Sequence, residues 1–167
     1  MAVSGSDIPE GGYSLVEILT VIAISSILLS IATVHFNKYF KRYQSEAQTR
    51  VMYADLLSAR ANALYHRRET RVKVYPTRFE VYSSLVDRDG GAAPVLSRQL
   101  QFPIVQSKSG NNVDFKSSGL TFNERSICQE PADDTCVIDS IVISTTRISL
   151  GKRDGREECG YDSITKK

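Results

Sequence analysis

Residues 15–36 form an apolar run of 22 positions in which Glu17 is the single formal charge. As a helix, about 20 such residues reach across the hydrocarbon core of a bilayer. A lone carboxylate in that environment costs at least ~2.5 kcal/mol. Glu17 is therefore read as functional and as needing a cationic partner. A cut between Gly12 and Tyr13 would create a free amine four residues before Glu17. The amine of a neighbouring copy would neutralise the carboxylate as two helices slide together.

No Pro or Gly occurs between Tyr13 and Tyr75, so nothing breaks the helix that the run begins. From Ala47, apolar and small residues recur at Val51, Ala54, Ser58, Ala61 and Tyr65, with Leu57 and Leu64 beside them. That is the three-four spacing of an amphipathic helix. The pattern predicts one helix from Tyr13 to about His66, roughly 80 Å long at 1.5 Å per residue. Its first half packs in a membrane or filament core, and its second half lays this stripe on a sheet. Ser25, Ser26 and Ser30 are expected to serve close helix packing rather than to bend the helix by bonding back to its carbonyls.

After Arg68 the period changes to two. Residues 70–75 and 78–82 alternate around Pro76-Thr77 and predict a β-hairpin with one face on the helix. Further strands are expected at 96–102, 113–115, 120–122, 136–143 and 146–150, with a second hairpin around Ser117-Ser118-Gly119. The expected class is α+β, one long helix followed by antiparallel strands.

The chemistry-bearing residues are sparse. Cys128 and Cys136 flank a turn-rich loop and predict a disulfide if the domain lies outside the cytoplasm. Cys159 is then left over, and a 136–159 bridge is the alternative. Asp87-Arg88-Asp89-Gly90-Gly91 lacks the distal glutamate of a calcium loop and reads as a solvated turn. Asp154, Glu157, Glu158 and Asp162 read as a solvated tail. His35 and His66 stand alone, no serine has a histidine in catalytic relation, and no phosphate loop follows a strand. The sequence thus predicts no enzyme, no metal and no cofactor. A net charge of +2 is too small to argue for nucleic acid by itself.

Gly12, the aromatic Tyr13, Glu17 as the fifth residue after the cut, and the Ile/Leu/Val/Ala/Ser run resemble the class III signal of type IV pilins and pseudopilins. The resemblance implies cleavage by a prepilin peptidase after Gly12, N-methylation of Tyr13, and an assembly role for Glu17. Loss of residues 1–12 removes Asp7 and Glu10 and raises the net charge from +2 to +4. The leader has no Lys or Arg, unlike most leaders of that family. Lys38, Lys41 and Arg42 by themselves would place the far end of the run in the cytoplasm; the resemblance places it in the periplasm.

Helix, hairpin and further strands, with Asp55–Ala63 at the junction, resemble the GspH/FimT group of minor pilins and pseudopilins. This implies a pilin-like fold: a leader (1–12), a membrane or filament-core half-helix (13–36), an amphipathic half-helix (37–68) and an antiparallel β domain (69–167). The implied protein is a structural subunit of a type IV pilus or a type II secretion pseudopilus. Its partners would be other major and minor pilins, the prepilin peptidase, an inner-membrane assembly platform and, before assembly, inner-membrane lipid. Some FimT-like proteins bind DNA through a basic, glycine-containing C-terminal motif. Lys152, Arg153 and Arg156, beside Gly151 and Gly155, are similar to it, although Asp154, Glu157 and Glu158 interrupt the charge. DNA uptake is therefore the alternative reading.

Overall fold

The structure is a computed structural model that describes residues 12–132, 135–155 and 158–167, with the backbone alone at 31–35. The chain divides into two compact units, Met1–Phe40 and Lys41–Lys167. Helix α1, Leu15–His66, enters both. It stops where Arg67 turns left-handed (φ 50°). There the Arg67 N–H donates to Leu64 O at 3.4 Å and the Arg68 N–H to Ala63 O at 3.2 Å. These two bonds make a Schellman motif with arginine where glycine is the usual residue.

In the second unit α1 is followed by β1 (Thr70–Val74), β2 (Arg78–Tyr82), β3 (Leu96–Gln99), β4 (Ile104–Gln106) and β5 (Asn112–Phe115). Strands β6 (Arg125–Gln129), β7 (Ser140–Ile143), β8 (Ile148–Arg153) and β9 (Ile164–Lys166) complete it. The strands form two antiparallel sheets, ordered β3-β2-β1-β5 and β4-β6-β7-β8-β9. The expected hairpin is β1–β2, with Val72 opposite Val81. The expected hairpin around Gly119 is reduced to one bridge, Phe115 with Thr121. The expected strand 136–143 forms only at Ser140–Ile143. Strands β4, β6 and β9 had no alternating signal, because each is short or carries buried polar residues.

One core joins the helix to both sheets. Met52, Leu56, Ala59 and Ala63 of α1 pack with Val72, Val74, Phe79, Val113 and Phe115 of the first sheet and Ile127, Ile141, Ile143 and Ile148 of the second. Ser45 and Thr49 extend this buried stripe. This corrects the sequence reading. Val51, Ala54, Ser58, Ala61 and Tyr65, expected on the sheet, are exposed. Both faces of the helix are rich in small and apolar residues. The face of Met52, Leu56, Ala59 and Ala63 took the core, and the face with Leu57, Leu64 and Tyr65 did not.

The disulfide is a second correction. It joins Cys128 to Cys159, not to Cys136. Side chains alternate along β6. Cys128 faces away from the helix, where it clusters with Val142, Cys159 and Ile164. The next residue, Gln129, faces the helix and donates to Ser45 O at 2.6 Å. Cys136 is buried on that same side, its Sγ 3.8 Å from Ser45 Oγ. The strand therefore stands between the two sulfurs that the sequence reading paired. The bridge holds Cys159 against Cys128 on the outer face of the second sheet, and Gly151 on β8 leaves no room for a Cβ against Ile164 and Thr165 of the neighbouring β9.

Closing a loop with a sequence separation of 31 stabilises a chain by roughly 3–4 kcal/mol. Replacing Cys128 and Cys159 together by serine is therefore expected to lower the denaturant-unfolding free energy by about that much. Cys136→Ala should cost distinctly less. Non-reducing peptide mapping should recover a 128–159 pair; a 128–136 pair would contradict the assignment.

Candidate functional site

The first candidate is the start of α1. Gly12 and Tyr13 precede the helix, and Tyr13 is 79% exposed. The helix opens with the Ile18 N–H donating to Ser14 O at 3.2 Å. Glu17 lies in its first turn, where a carboxylate interacts favourably with the helix macrodipole. Its side chain is exposed, and no ion pair to it occurs among the described residues. Around it, Leu15, Val16, Ile18, Leu19, Val21, Ile22, Ile24, Ile27, Leu28 and Leu29 are all exposed. A helix that is apolar on every side is the kind that lipid or protein covers. Ser26 donates to Ala23 O at 2.8 Å and Ser30 to Ile27 O at 2.7 Å, so both bond back to the helix, against the expectation for them. Among the described residues no helix is long and apolar enough to cross a membrane; the side chains of 31–35, within the sequence run, lie outside them, His35 included.

The second candidate is the C-terminal basic stretch. Lys152 and Arg153 lie on β8, and Arg156 lies outside the described residues, as does Glu157. Arg153 is only 3% exposed. Its guanidinium donates to Gln129 O at 2.7 Å and pairs with Glu130 at 3.0 Å. A cation committed in this way presents little charge to a phosphate backbone. Asp154 accepts from Thr165 Oγ1 at 3.0 Å. Among the described residues no group of three or more His, Cys, Asp or Glu is placed to hold a metal ion.

The third is the outer face of the first sheet, which the sequence reading left as a solvated turn. Alternation places Arg71, Lys73, Glu80, Tyr82 and Asp114 on the side opposite the core. The 83–95 segment crosses this face through a single 3-10 turn, Arg88–Gly90, capped by Asp87. Gly91 leaves the turn with φ 86°, a conformation that suits glycine. Asp87 Oδ2 lies 2.9 Å from Lys73 Nζ and 3.1 Å from Arg71; Arg71 also holds Asp114 at 2.7 Å. Asp89 pairs with Lys73 at 2.6 Å. Glu80, fully buried, is met by Arg78 at 3.0 Å, Arg88 at 2.9 Å and the Tyr82 hydroxyl at 2.7 Å. Hydrogen bonds from Lys73 and Arg71 hold the Asp87 carboxyl down at about 2. Bonds to Asp89 and Asp87 raise the Lys73 ammonium, and burial raises the Tyr82 phenol. Arg71, Lys73 and Glu80 carried no sequence signal for this role beyond their places in alternating strands.

The fourth is a pocket of about 280 Å³ beside the end of α1, lined by Ala59, Asn62, His66, Arg68, Thr70, Val81, Tyr82, Ser83 and Val95. None of these except His66 was singled out from sequence, because the pocket is assembled from the helix end and two strand ends.

Residues 9–33 match a family model described as the prokaryotic N-terminal methylation motif. No curated protein matches the chain. The structure is similar to the type IV minor pilin FimU of Pseudomonas aeruginosa in two crystal forms. One has a TM-score of 0.58 at 16% identity, covering 74% of this chain and 99% of that one. The other has a TM-score of 0.54 at 16% identity, covering 70% and 99%. At that identity the likeness establishes the fold: a long N-terminal helix on antiparallel sheets, as in a minor pilin. The chain thus carries the prokaryotic N-terminal methylation motif on a pilin-like fold.

A carboxyl held low contributes stability that is complete above its ordinary pKa, near 4, and is lost as pH falls toward about 2. Amide exchange at Gly90, whose N–H meets Asp87, should therefore accelerate on acidification through that window relative to β1. Asp87→Asn should already exchange fast at pH 7 and show a much flatter acid dependence.

Proposed function

We propose that this protein is a structural subunit, a minor pilin or pseudopilin, of a type IV pilus or type II secretion pseudopilus. The observation that carries the reading is the first half of α1. It is apolar on every described side, yet it keeps one carboxylate in its first turn, five residues after the Gly12-Tyr13 junction. Before assembly this half resides in the inner membrane, with the second unit in the periplasm. A prepilin peptidase cuts after Gly12, and the new Tyr13 amine is methylated.

The assembly step is electrostatic. In hydrocarbon, or in a filament core packed from such helices, an unpaired carboxylate is costly, and its pairing with an ammonium is correspondingly favourable. A neighbour's Tyr13 amine reaches Glu17 only when the two helices are offset along their axes by the short distance between these positions. Pairing thus selects a register as well as an affinity. No catalytic step is involved; the chain's partners are other pilins and the membrane platform that extracts it.

Glu17→Ala is expected to leave cleavage and membrane insertion intact, while reducing recovery in sheared filaments at least tenfold. Normal incorporation would count against the pairing. Mass spectrometry of the mature protein should give a chain that begins at residue 13 and carries one added methyl; an intact leader would remove the reading.

A further inference from the structure

We infer that the pocket at the end of α1 is a docking site for an extended acidic segment of a neighbouring subunit, one that presents an apolar side chain followed by a carboxylate. The inference takes its partner from the proposed function and rests on that reading.

Three observations on the second unit converge here. The first is the shape. Helix α1 runs past Ala59 through the buried Ala63 to His66, and the pocket lies at its side, between Ala59, Asn62 and His66 of the helix and Thr70, Val81 and Tyr82 of the strands. Ala59, Val81 and Val95 make an apolar wall, and Val95 is 70% exposed. A volume of about 280 Å³ lies at the bottom of the range for small-molecule sites. It suits one side chain and its neighbouring group rather than a cofactor.

The second is charge. On the strands and loops of this sheet, Arg71, Lys73, Arg78, Arg88, Arg98 and Lys116 each meet a carboxylate. Arg68, at the head of β1 and lining the pocket, meets none among the described residues. Asn62 and His66 stand beside it on the helix, also without a side-chain hydrogen bond among the described residues. A guanidinium takes a carboxylate through two parallel N–H donors, and Asn62 and Ser83 add neutral polar groups at the rim. The remaining polar groups are committed: Thr70 Oγ1 donates to Ala59 O at 3.0 Å and Tyr82 to Glu80 at 2.7 Å.

The third is the edge. Strand β3 is the last strand of its sheet, and Val95, which leads into it, donates to Val81 O at 2.8 Å. An extended partner can add to an edge strand through its backbone while one side chain fills a neighbouring pocket. Along β3 the inner side is closed by Arg98 with Asp55 at 2.6 Å, so the open place for a side chain is the Val95 end. Together the three features fit an extended chain with an apolar residue in the pocket and an acid at Arg68.

The test uses the full chain in detergent micelles and the peptide acetyl-Thr-Val-Thr-Leu-Asp-Thr-amide, read by NMR at Val81, Val95 and His66. Saturable shifts at these residues are expected, weakened about tenfold by Asp→Asn in the peptide and abolished by Arg68→Glu in the protein. No shift at millimolar peptide, equal binding of the Asn peptide, or undiminished binding by Arg68→Glu would overturn the site. In assembled filaments, a photo-crosslinking residue at Val95 should label another filament subunit, identified by mass; labelling of none would overturn the choice of partner. The peptide experiment involves no assembly, so a failed pocket and a failed Glu17 pairing give separate results.

Discussion

The second unit depends on one buried stripe of α1. Met52, Leu56, Ala59 and Ala63 are each within 1% of complete burial, and they belong to one core cluster with apolar residues of both sheets. Burying a large aliphatic side chain is worth about 1.5–3 kcal/mol, and a void at Leu56 would be felt by strands of both sheets. The polar end of the stripe is as closely fitted. Gln129 donates to Ser45 O, and Gln48 accepts from the Gln101 and Phe102 amides at 2.8 and 3.0 Å. The helix thereby fixes the crossing from β3 to β4, where the chain leaves one sheet for the other.

The outer faces of the two sheets are finished by different means. The first carries charge on its outer side, and a crossing segment neutralises it: Asp87 and Asp89 supply the acids that Arg71 and Lys73 need, and Arg88 serves the buried Glu80. Such a cluster is specific in geometry, since removing one member strands another in a poorly hydrated place. The second sheet carries Cys128 and Val142 on its outer face, and Cys159 and Ile164 of the returning C-terminal chain pack on them. There a covalent bond at Cys128 and Cys159, rather than charge, holds the cover in place.

The N-terminal unit follows the opposite logic. Its described side chains are all exposed. A surface of this kind is covered by lipid or by other helices, and under the proposed function the single acid among them, Glu17, would give that contact a register. Most of the buried polar groups of the second unit are paired with one another, as Glu80 is with Tyr82 and Gln129 with Ser45, whereas Ser126 Oγ and the Nε atoms of Arg60, Arg125 and Arg153 find no hydrogen-bond partner among the described residues.

The sequence by itself determined what is local. The unbroken run from Tyr13 to His66, free of Pro and Gly, specified the helix almost to the residue. The period of two around Pro76-Thr77 specified the first hairpin, and the placement of Gly12, Tyr13 and Glu17 specified the N-terminal motif. Only the tertiary structure decided which helix face is inside, because residues 51–65 and 52–63 both carry apolar stripes and the choice depends on how the strands fit against them. It also decided the disulfide, because which side of β6 a cysteine faces is set by strand register and not by distance along the chain. Arg153 looked like a surface cation for the same reason: its burial depends on Gln129 and Glu130, more than twenty residues away, which only the folded sheet brings to it.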